Sequence, residues 1–294
     1  MVRKLVAEHG LDALEIRGSG RDGRITREDV LAFLERRSPR PGPAAQPDSA
    51  VVPAPAEGDA VVPLNAIRRR TAEHMVTSWT TVPHVLQAIE ADFSTVERTR
   101  RELGGRWKER EGFALTYLPF VARAVSIALA KFPRLNATFR DGRLVVHRRI
   151  NLGIAVDLNL DALVVPVVKD VPAKSLARIA LEIHDLALRA RRGRLKPDEV
   201  TEGTYTLSNS GVFGTLITAP IINPPQVAIL STDGVRKRPV VIEGPEGDSI
   251  AIRPVGLLAQ TFDHRAVDGA YSAAFLREVK SVVESCDWSA ELSG

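Results

Sequence analysis

The sequence predicts an α/β protein in which a mixed-sheet domain follows a small all-α domain. Three observations carry that expectation. Beyond residue 60, short apolar runs of strand length alternate with segments of helical period. Asp141-Gly142, between two short apolar stretches, is a two-residue hairpin turn whose central positions both need positive φ. Between Ser38 and Ala60 the chain turns Pro- and Ala-rich (Pro39, Pro41, Pro43, Pro47, Pro53, Pro55), with almost no large apolar residue, which describes a semi-extended tether. The expected parts are therefore 1–37, a linker over 38–60, and 61–294.

In the first part, Val2 to His9 carries Leu5 and Val6 on a short helix that Gly10 ends. Thr26 caps a second helix with apolar positions Val30, Leu31, Phe33 and Leu34, and Asp29 three residues on approximates a capping box. The loop Arg17 to Arg24 holds three glycines that permit turns other residues resist, and its arginines are available to a partner. A domain of about 36 residues lies below the size that usually folds without metal, disulfide or partner, so its apolar positions are used very efficiently or it functions docked.

After the linker, the periods predict a helix over Ala66–Thr80, a strand over His84–Phe93, a helix over Ser94–Arg110 and a more buried helix over Tyr117–Lys131. Strands follow at Asn151–Leu158 and Leu163–Val168, then a helix from Ser175 to about Arg192. Short strands are expected at Tyr205–Ser208, Gln226–Thr232, Val235–Ile242, Ser249–Arg253 and Val255–Phe262. A final helix buries Phe275, Leu276, Val279, Val282 and Val283 on one face. No internal repeat is visible.

Composition narrows the function classes. Hydrophobic residues make up 44% of the chain, ample for a core, and no apolar stretch reaches the roughly 20 residues that span a bilayer. The N-terminus lacks a signal-peptide apolar core, so a cytoplasmic protein is expected. Cys286 is the single cysteine, which excludes an internal disulfide and a cysteine-based zinc site. His74, His84, His147 and His184 lack partners at metal-ligand spacing, so no metal is expected. The net charge of +4 does not by itself imply nucleic acid, and residues 1–40 carry nine basic against seven acidic side chains, too balanced for strong phosphate attraction.

Near the C-terminus, Asp263-His264-Arg265-Ala266-Val267-Asp268-Gly269 follows the apolar run Val255 to Phe262. An imidazole thus stands at a strand end with a carboxylate four residues on, where Gly269 opens a helix, an arrangement suited to a histidine general base in acyl transfer. Each residue also has a plainer reading: His264 as a hydrogen-bonded strand-end histidine, Asp268 as a helix N-cap, and Arg265 as an exposed arginine or the partner of a nearby carboxylate. Ser208, ending the strand before Asn209-Ser210-Gly211, is a candidate hydrogen-bond donor to an oxyanion. Its plainer reading is a Ser-Asn turn before a glycine-rich loop.

Together these stretches resemble the dihydrolipoamide acyltransferases, the core components of 2-oxo acid dehydrogenase complexes. Residues 2–10 with Gly18-Ser19-Gly20 and Gly23-Arg24-Ile25-Thr26 look like that family's peripheral subunit-binding domain, and 38–60 like its linker. Phe132-Pro133-Arg134-Leu135-Asn136-Ala137, Leu163-Val164-Val165-Pro166-Val167 and Pro220-Ile221-Ile222-Asn223-Pro224-Pro225-Gln226 look like its catalytic domain over 61–294. The ordered set is far more specific than any one stretch.

The resemblance implies a chloramphenicol-acetyltransferase-like mixed-sheet fold and acyl transfer between dihydrolipoamide and coenzyme A. It implies that His264 is the general base, Asp268 orders the active-site turn, and Ser208 donates to the tetrahedral oxyanion. It further implies a homotrimer, alone or in a cubic or dodecahedral core, with His264 meeting Ser208 of a neighbouring subunit and a monomer inactive. The implied partners are the 2-oxo acid decarboxylase and dihydrolipoamide dehydrogenase components, docked through the small domain's arginines. An ordinary thiol near 8.5 and an ordinary imidazole near 6.5 differ by about two pKa units, roughly 2.7 kcal/mol, so proton removal concerted with attack needs no covalent enzyme intermediate. Arg68-Arg69-Arg70 and Arg189, Arg191, Arg192 and Arg194 could meet coenzyme A phosphates, although solvated helix faces are the plainer reading.

Two positions depart from the pattern, Phe262 where tyrosine is common and Ala162 where glycine is common. No stretch resembles a lipoyl domain, so the lipoyl group is expected on another chain or on a missing N-terminal domain. Three rivals stand beside the enzyme reading. An inactive subunit-binding scaffold would have no need of His264, Asp268 and Ser208; a chloramphenicol acetyltransferase-like protein would have no use for residues 1–37; a nucleic-acid-binding small domain meets the charge balance above. The stretch Gly211-Val212-Phe213-Gly214 followed by Pro220 to Gln226 resembles succinyl-transferring members more than acetyl or branched-chain ones.

Overall fold

A computed structural model describes residues 2, 6, 11–12, 15–20, 23–37, 55–245 and 247–293. Two compact units divide the chain, Met1–Pro63 and Leu64–Gly294. Among the described residues no helix is long and apolar enough to cross a membrane.

Of the helix expected over residues 2–9, only Val2 and Val6 are described, and both are helical. The linker expected over 38–60 falls outside the described residues up to 54, and residues 55–60 are exposed. The helix α1 (Arg27–Arg37) begins as its cap requires: Asp29 N donates to Thr26 Oγ1 (3.3 Å), and the Asp29 carboxylate accepts from Thr26 N (2.8 Å). That carboxylate also accepts from Ser19 N (2.9 Å), and the backbone donors of Ser19 and Thr26 hold its pKa well below the usual carboxylate range. Val30 is buried, whereas Leu31, expected on the apolar face, is exposed.

The second unit opens with α2 (Ala66–Thr81), whose N-cap Asn65 accepts from Arg68 N, and continues into β1 (His84–Asp92). The next helices are α3 (Ser94–Glu111) and α4 (Leu118–Lys131), the latter buried over most of its circumference. The hairpin of β2 (Ala137–Arg140) and β3 (Arg143–Val146) turns at Asp141 and Gly142 with φ of 51° and 70°.

The two strands expected next both break. Asn151–Leu158 divides into β4 (Leu152–Ile154) and β5 (Val156–Leu158), and Leu163–Val168 into β6 (Ala162–Val164) and β7 (Val167–Val168). Pro166 is the cause: its carbonyl accepts from Ile154 N (2.8 Å), but it has no N–H to return, so the antiparallel ladder is cut at that pair. Beyond the cut, β4 joins the main sheet while β5 and β6 pair separately.

Next come α5 (Leu176–Arg191), capped by Ser175, then β8 (Tyr205–Asn209), β9 (Ala228–Thr232), β10 (Arg236–Ile242) and β11 (Ser249–Asp263). Here the expected pair 249–253 and 255–262 is one continuous strand. Pro254 lies where β11 changes neighbours, from β10 to β1 and β9, so few ladder bonds need its missing N–H, and its carbonyl accepts from Phe93 N (2.8 Å).

The main sheet runs β1-β11-β9-β8-β4-β7, with β10 paired to β11. Antiparallel pairs flank a parallel core in which β8 runs with β4 and β9, the mixed sheet expected. The last helices are α6 (Gly269–Ser285) and α7 (Trp288–Ser293). Phe275, Leu276, Val279 and Val283 of α6 join the core with Val121, Val125 and Leu129 of α4. The sheet is thereby backed by helices, and its strand ends are left to present side chains.

Candidate active site

The end of β11 is built by its register. Asp263 pairs with His84, and its N–H reaches back to Val227 O (2.8 Å). The next residue leaves the sheet, with His264 N donating to Pro83 O (3.1 Å). Asp263 is buried, which would cost several kcal/mol for a lone carboxylate, roughly the penalty of an unpaired buried charge. Its partner is Arg265, whose Nη2 approaches Oδ2 (2.7 Å) and whose own N–H reaches Oδ1 (2.9 Å). The pairing raises the already high basicity of Arg265, and the guanidinium lies over the Phe139 ring, 4.4 Å from its centre. The turn is thus tied at both flanks of His264.

His264 is left facing outward, its side chain 46% exposed. Its Nδ1 lies 3.7 Å from Asp268 Oδ1, a separation longer than a hydrogen bond. Asp268 occupies the N-cap of α6, yet its side chain makes no capping hydrogen bond and is 88% exposed. Asp268 thus stands at the N-cap position that its plainer reading gives it, but the carboxylate makes no capping hydrogen bond and lies on the side of His264. No hydrogen bond engages His264 Nε2 among the described residues.

Ser208 lies elsewhere. In the parallel register it aligns with Ser231 of β9, and Ser231 aligns with Ala259 of β11. His264 is five positions beyond Ala259, which at about 3.3 Å per residue is an offset of roughly 16 Å along the sheet, with β9 intervening. Ser208 and His264 occupy opposite ends of one sheet and share no site within the chain.

Each end is held rigidly. Behind Ser208, buried Asp233 accepts from Thr215 Oγ1, Thr218 N (3.1 Å) and Thr218 Oγ1 (2.8 Å), ordering the loop that follows β8. Gly211 in that loop is required by close approach, since a Cβ would sit 2.7 Å from Asp233 O. Between the ends, Tyr205 Oη donates to Gln260 Oε1 (2.6 Å), and Gln260 Nε2 donates to Ser272 Oγ (2.8 Å). This fully buried chain links β8, β11 and α6, and burial pushes the pKa of the Tyr205 hydroxyl well above its ordinary value. No local pattern announces such links, because their members are far apart in sequence.

Several of the other candidates are engaged within the fold. Arg68 donates to Asp161 O (2.7 Å), and Arg189 pairs with Asp185 and Glu199, so neither presents an unengaged guanidinium. His147 is hydrogen-bonded to Thr138, and burial lowers its basicity; His184 stacks on Phe113 at 3.7 Å. His84 bridges two backbone segments, a role the sequence did not disclose. Cys286 is half-buried, which pushes its thiol up and away from reactivity. Among the described residues no cluster of His, Cys, Asp and Glu could hold a metal ion.

Comparison with known proteins matches residues 56–289 to the 2-oxoacid dehydrogenases acyltransferase (catalytic domain) family and residues 1–31 to an e3 binding domain. The lipoamide acyltransferase component of the branched-chain alpha-keto acid dehydrogenase complex of Bacillus subtilis is 35% identical, over 97% of this chain and 70% of its own. The dihydrolipoyllysine-residue succinyltransferase component of the 2-oxoglutarate dehydrogenase complex of Escherichia coli is 34% identical, over 96% of this chain and 69% of its own. Among solved structures, a probable dihydrolipoamide acetyltransferase from Listeria monocytogenes superposes with a TM-score of 0.74 at 38% identity, covering 78% of this chain and 95% of its own. The three differ in the acyl group they are named for, and their identities to this chain are nearly equal.

Proposed function

The chain belongs to the 2-oxoacid dehydrogenase acyltransferase family, and on that premise we propose that it moves an acyl group between dihydrolipoamide and coenzyme A within a 2-oxo acid dehydrogenase complex. The single observation that carries the reading is the free pair at the end of β11, a solvent-facing imidazole beside a carboxylate relieved of capping duty. Dihydrolipoamide and coenzyme A supply the two sulfurs, one as a free thiol and one as a thioester. His264 accepts the proton of the free thiol as its sulfur bonds to the thioester carbonyl carbon. Asp268 holds the imidazole and balances the charge it gains. Ser208 donates to the carbonyl oxygen as that oxygen becomes an oxyanion. When the intermediate collapses and the other carbon–sulfur bond breaks, His264 returns its proton to the departing sulfur.

Ser208 in this scheme comes from a neighbouring subunit of a trimer, a reading supported by the separation of the two residues within one chain. Exposed apolar residues support a covered surface there: Val212, Phe213, Leu216 and Ile217 follow Ser208, and Val76 and Trp79 lie on the helix leading to the His264 corner. The small domain is read as the dock for the decarboxylase and dihydrolipoamide dehydrogenase components.

Turnover with free dihydrolipoamide across succinyl-, acetyl- and branched-chain acyl-coenzyme A tests the reading. The 211–226 stretch leads us to expect the highest kcat/KM with the succinyl donor. Absence of transfer from every donor by an intact assembly would favour the inactive scaffold instead.

A further inference from the structure

Ile222, in the Pro220–Pro225 stretch, has both of its backbone polar groups taken by side chains of the α2–β1 corner. Fully buried Ser78 donates its hydroxyl to Ile222 O (2.7 Å), and Ile222 N donates to His84 Nε2 (3.1 Å). The other ring nitrogen of His84, Nδ1, lies 2.7 Å from Val82 O. A carbonyl only accepts, so Nδ1 carries the hydrogen, and a nitrogen that accepts carries none, so Nε2 is bare. Of the three forms an imidazole can take, the neutral Nδ1–H tautomer alone satisfies both contacts.

Pro83, between Val82 and His84, is the residue whose carbonyl receives the His264 N–H (3.1 Å). His84 itself faces Asp263 across the β1–β11 ladder. Val82, Ile222 and Ile229 form a small apolar cluster apart from the main core. Apolar contact holds segments together without fixing their rotation, whereas a donor and an acceptor on opposite edges of one rigid ring fix both distance and direction.

We propose that His84 is a positioning residue for His264, its Nδ1–H tautomer clamping Ile222 to the Val82–His84 corner on which the His264 backbone is hung. The inference rests on the acyl-transfer reading for its effect on turnover, and on the geometry alone for its effect on local order.

Two substitutions separate the edges of the ring. In His84→Gln the side-chain oxygen reaches the place of Nε2 and accepts from Ile222 N. In His84→Asn the amide nitrogen replaces Nδ1 and Ile222 N loses its acceptor. The expected result is that H84N lowers kcat roughly tenfold to a hundredfold with KM changed by less than about twofold, and that H84Q recovers much of the loss. Hydrogen exchange followed by mass spectrometry on the full assembly should show faster exchange in H84N in peptides spanning Ile222 and His264, restored in H84Q. Ser78→Ala, which frees the Ile222 carbonyl, should reproduce both effects in smaller degree and serves where H84N does not assemble. Unchanged kcat, or unchanged exchange around His264, in H84N or its Ser78→Ala substitute would overturn the proposal. An assembly of the natural chain that transfers no acyl group counts against the acyl-transfer reading, while the exchange comparison still decides whether the clamp exists.

Discussion

Asp268 stands at the N-cap of a helix with no capping bond from its side chain, and its carboxylate lies near the His264 imidazole. Leaving a cap unused forgoes about 1 kcal/mol of helix stability, a loss that makes sense where the carboxylate has chemistry to serve. Among the described residues no hydrogen bond engages the Ser208 hydroxyl either. Replacing Ser208 with alanine should therefore lower kcat by roughly a hundredfold to a thousandfold, the usual loss on removing one oxyanion donor, with little effect on KM or thermal stability. Steady-state kinetics with both substrates varied checks this, and a loss appearing mainly in KM would reassign Ser208 to binding. The positions of all three were legible in the sequence, two at strand ends and one at a helix start, because the periods of those elements are local. The partner of Arg265 was not named there, since Asp263 becomes an obligatory ion-pair partner only once burial removes its water.

At the scale of elements, the buried chain from Tyr205 through Gln260 to Ser272 ties β8 to β11 and α6, and so fixes the two strand ends relative to each other. Tyr205→Phe keeps the ring and removes the donor, leaving Gln260 Oε1 buried without a partner at a cost of about 1–3 kcal/mol. A lowered thermal midpoint with retained assembly is the expected outcome; an unchanged midpoint would show that Gln260 finds another donor. The elements themselves were readable from period and turn chemistry, as the hairpin at Asp141-Gly142 shows. The two prolines were not. Pro166 cuts its strand and Pro254 does not, because the effect depends on whether a neighbouring strand needs the missing N–H, and neighbours are assigned by topology.

For the whole molecule, the offset between Ser208 and His264 makes the proposed site a property of the assembly. Chains carrying Ser208→Ala and chains carrying His264→Ala should each be nearly inactive alone. Co-assembled in equal amounts they should regain about a quarter of the natural activity, since one random head-to-tail contact in four joins an intact His264 to an intact Ser208. Recovery of no activity from verified mixed assemblies would overturn the site between subunits. The sequence by itself determined the helices, most strands, and the strand ends and helix start where His264, Ser208 and Asp268 stand, because each follows from residues close together along the chain. Only the tertiary structure decided that those ends lie apart, that His84 holds one tautomer, and which proline breaks a strand, because strand register and burial are set by residues distant in sequence.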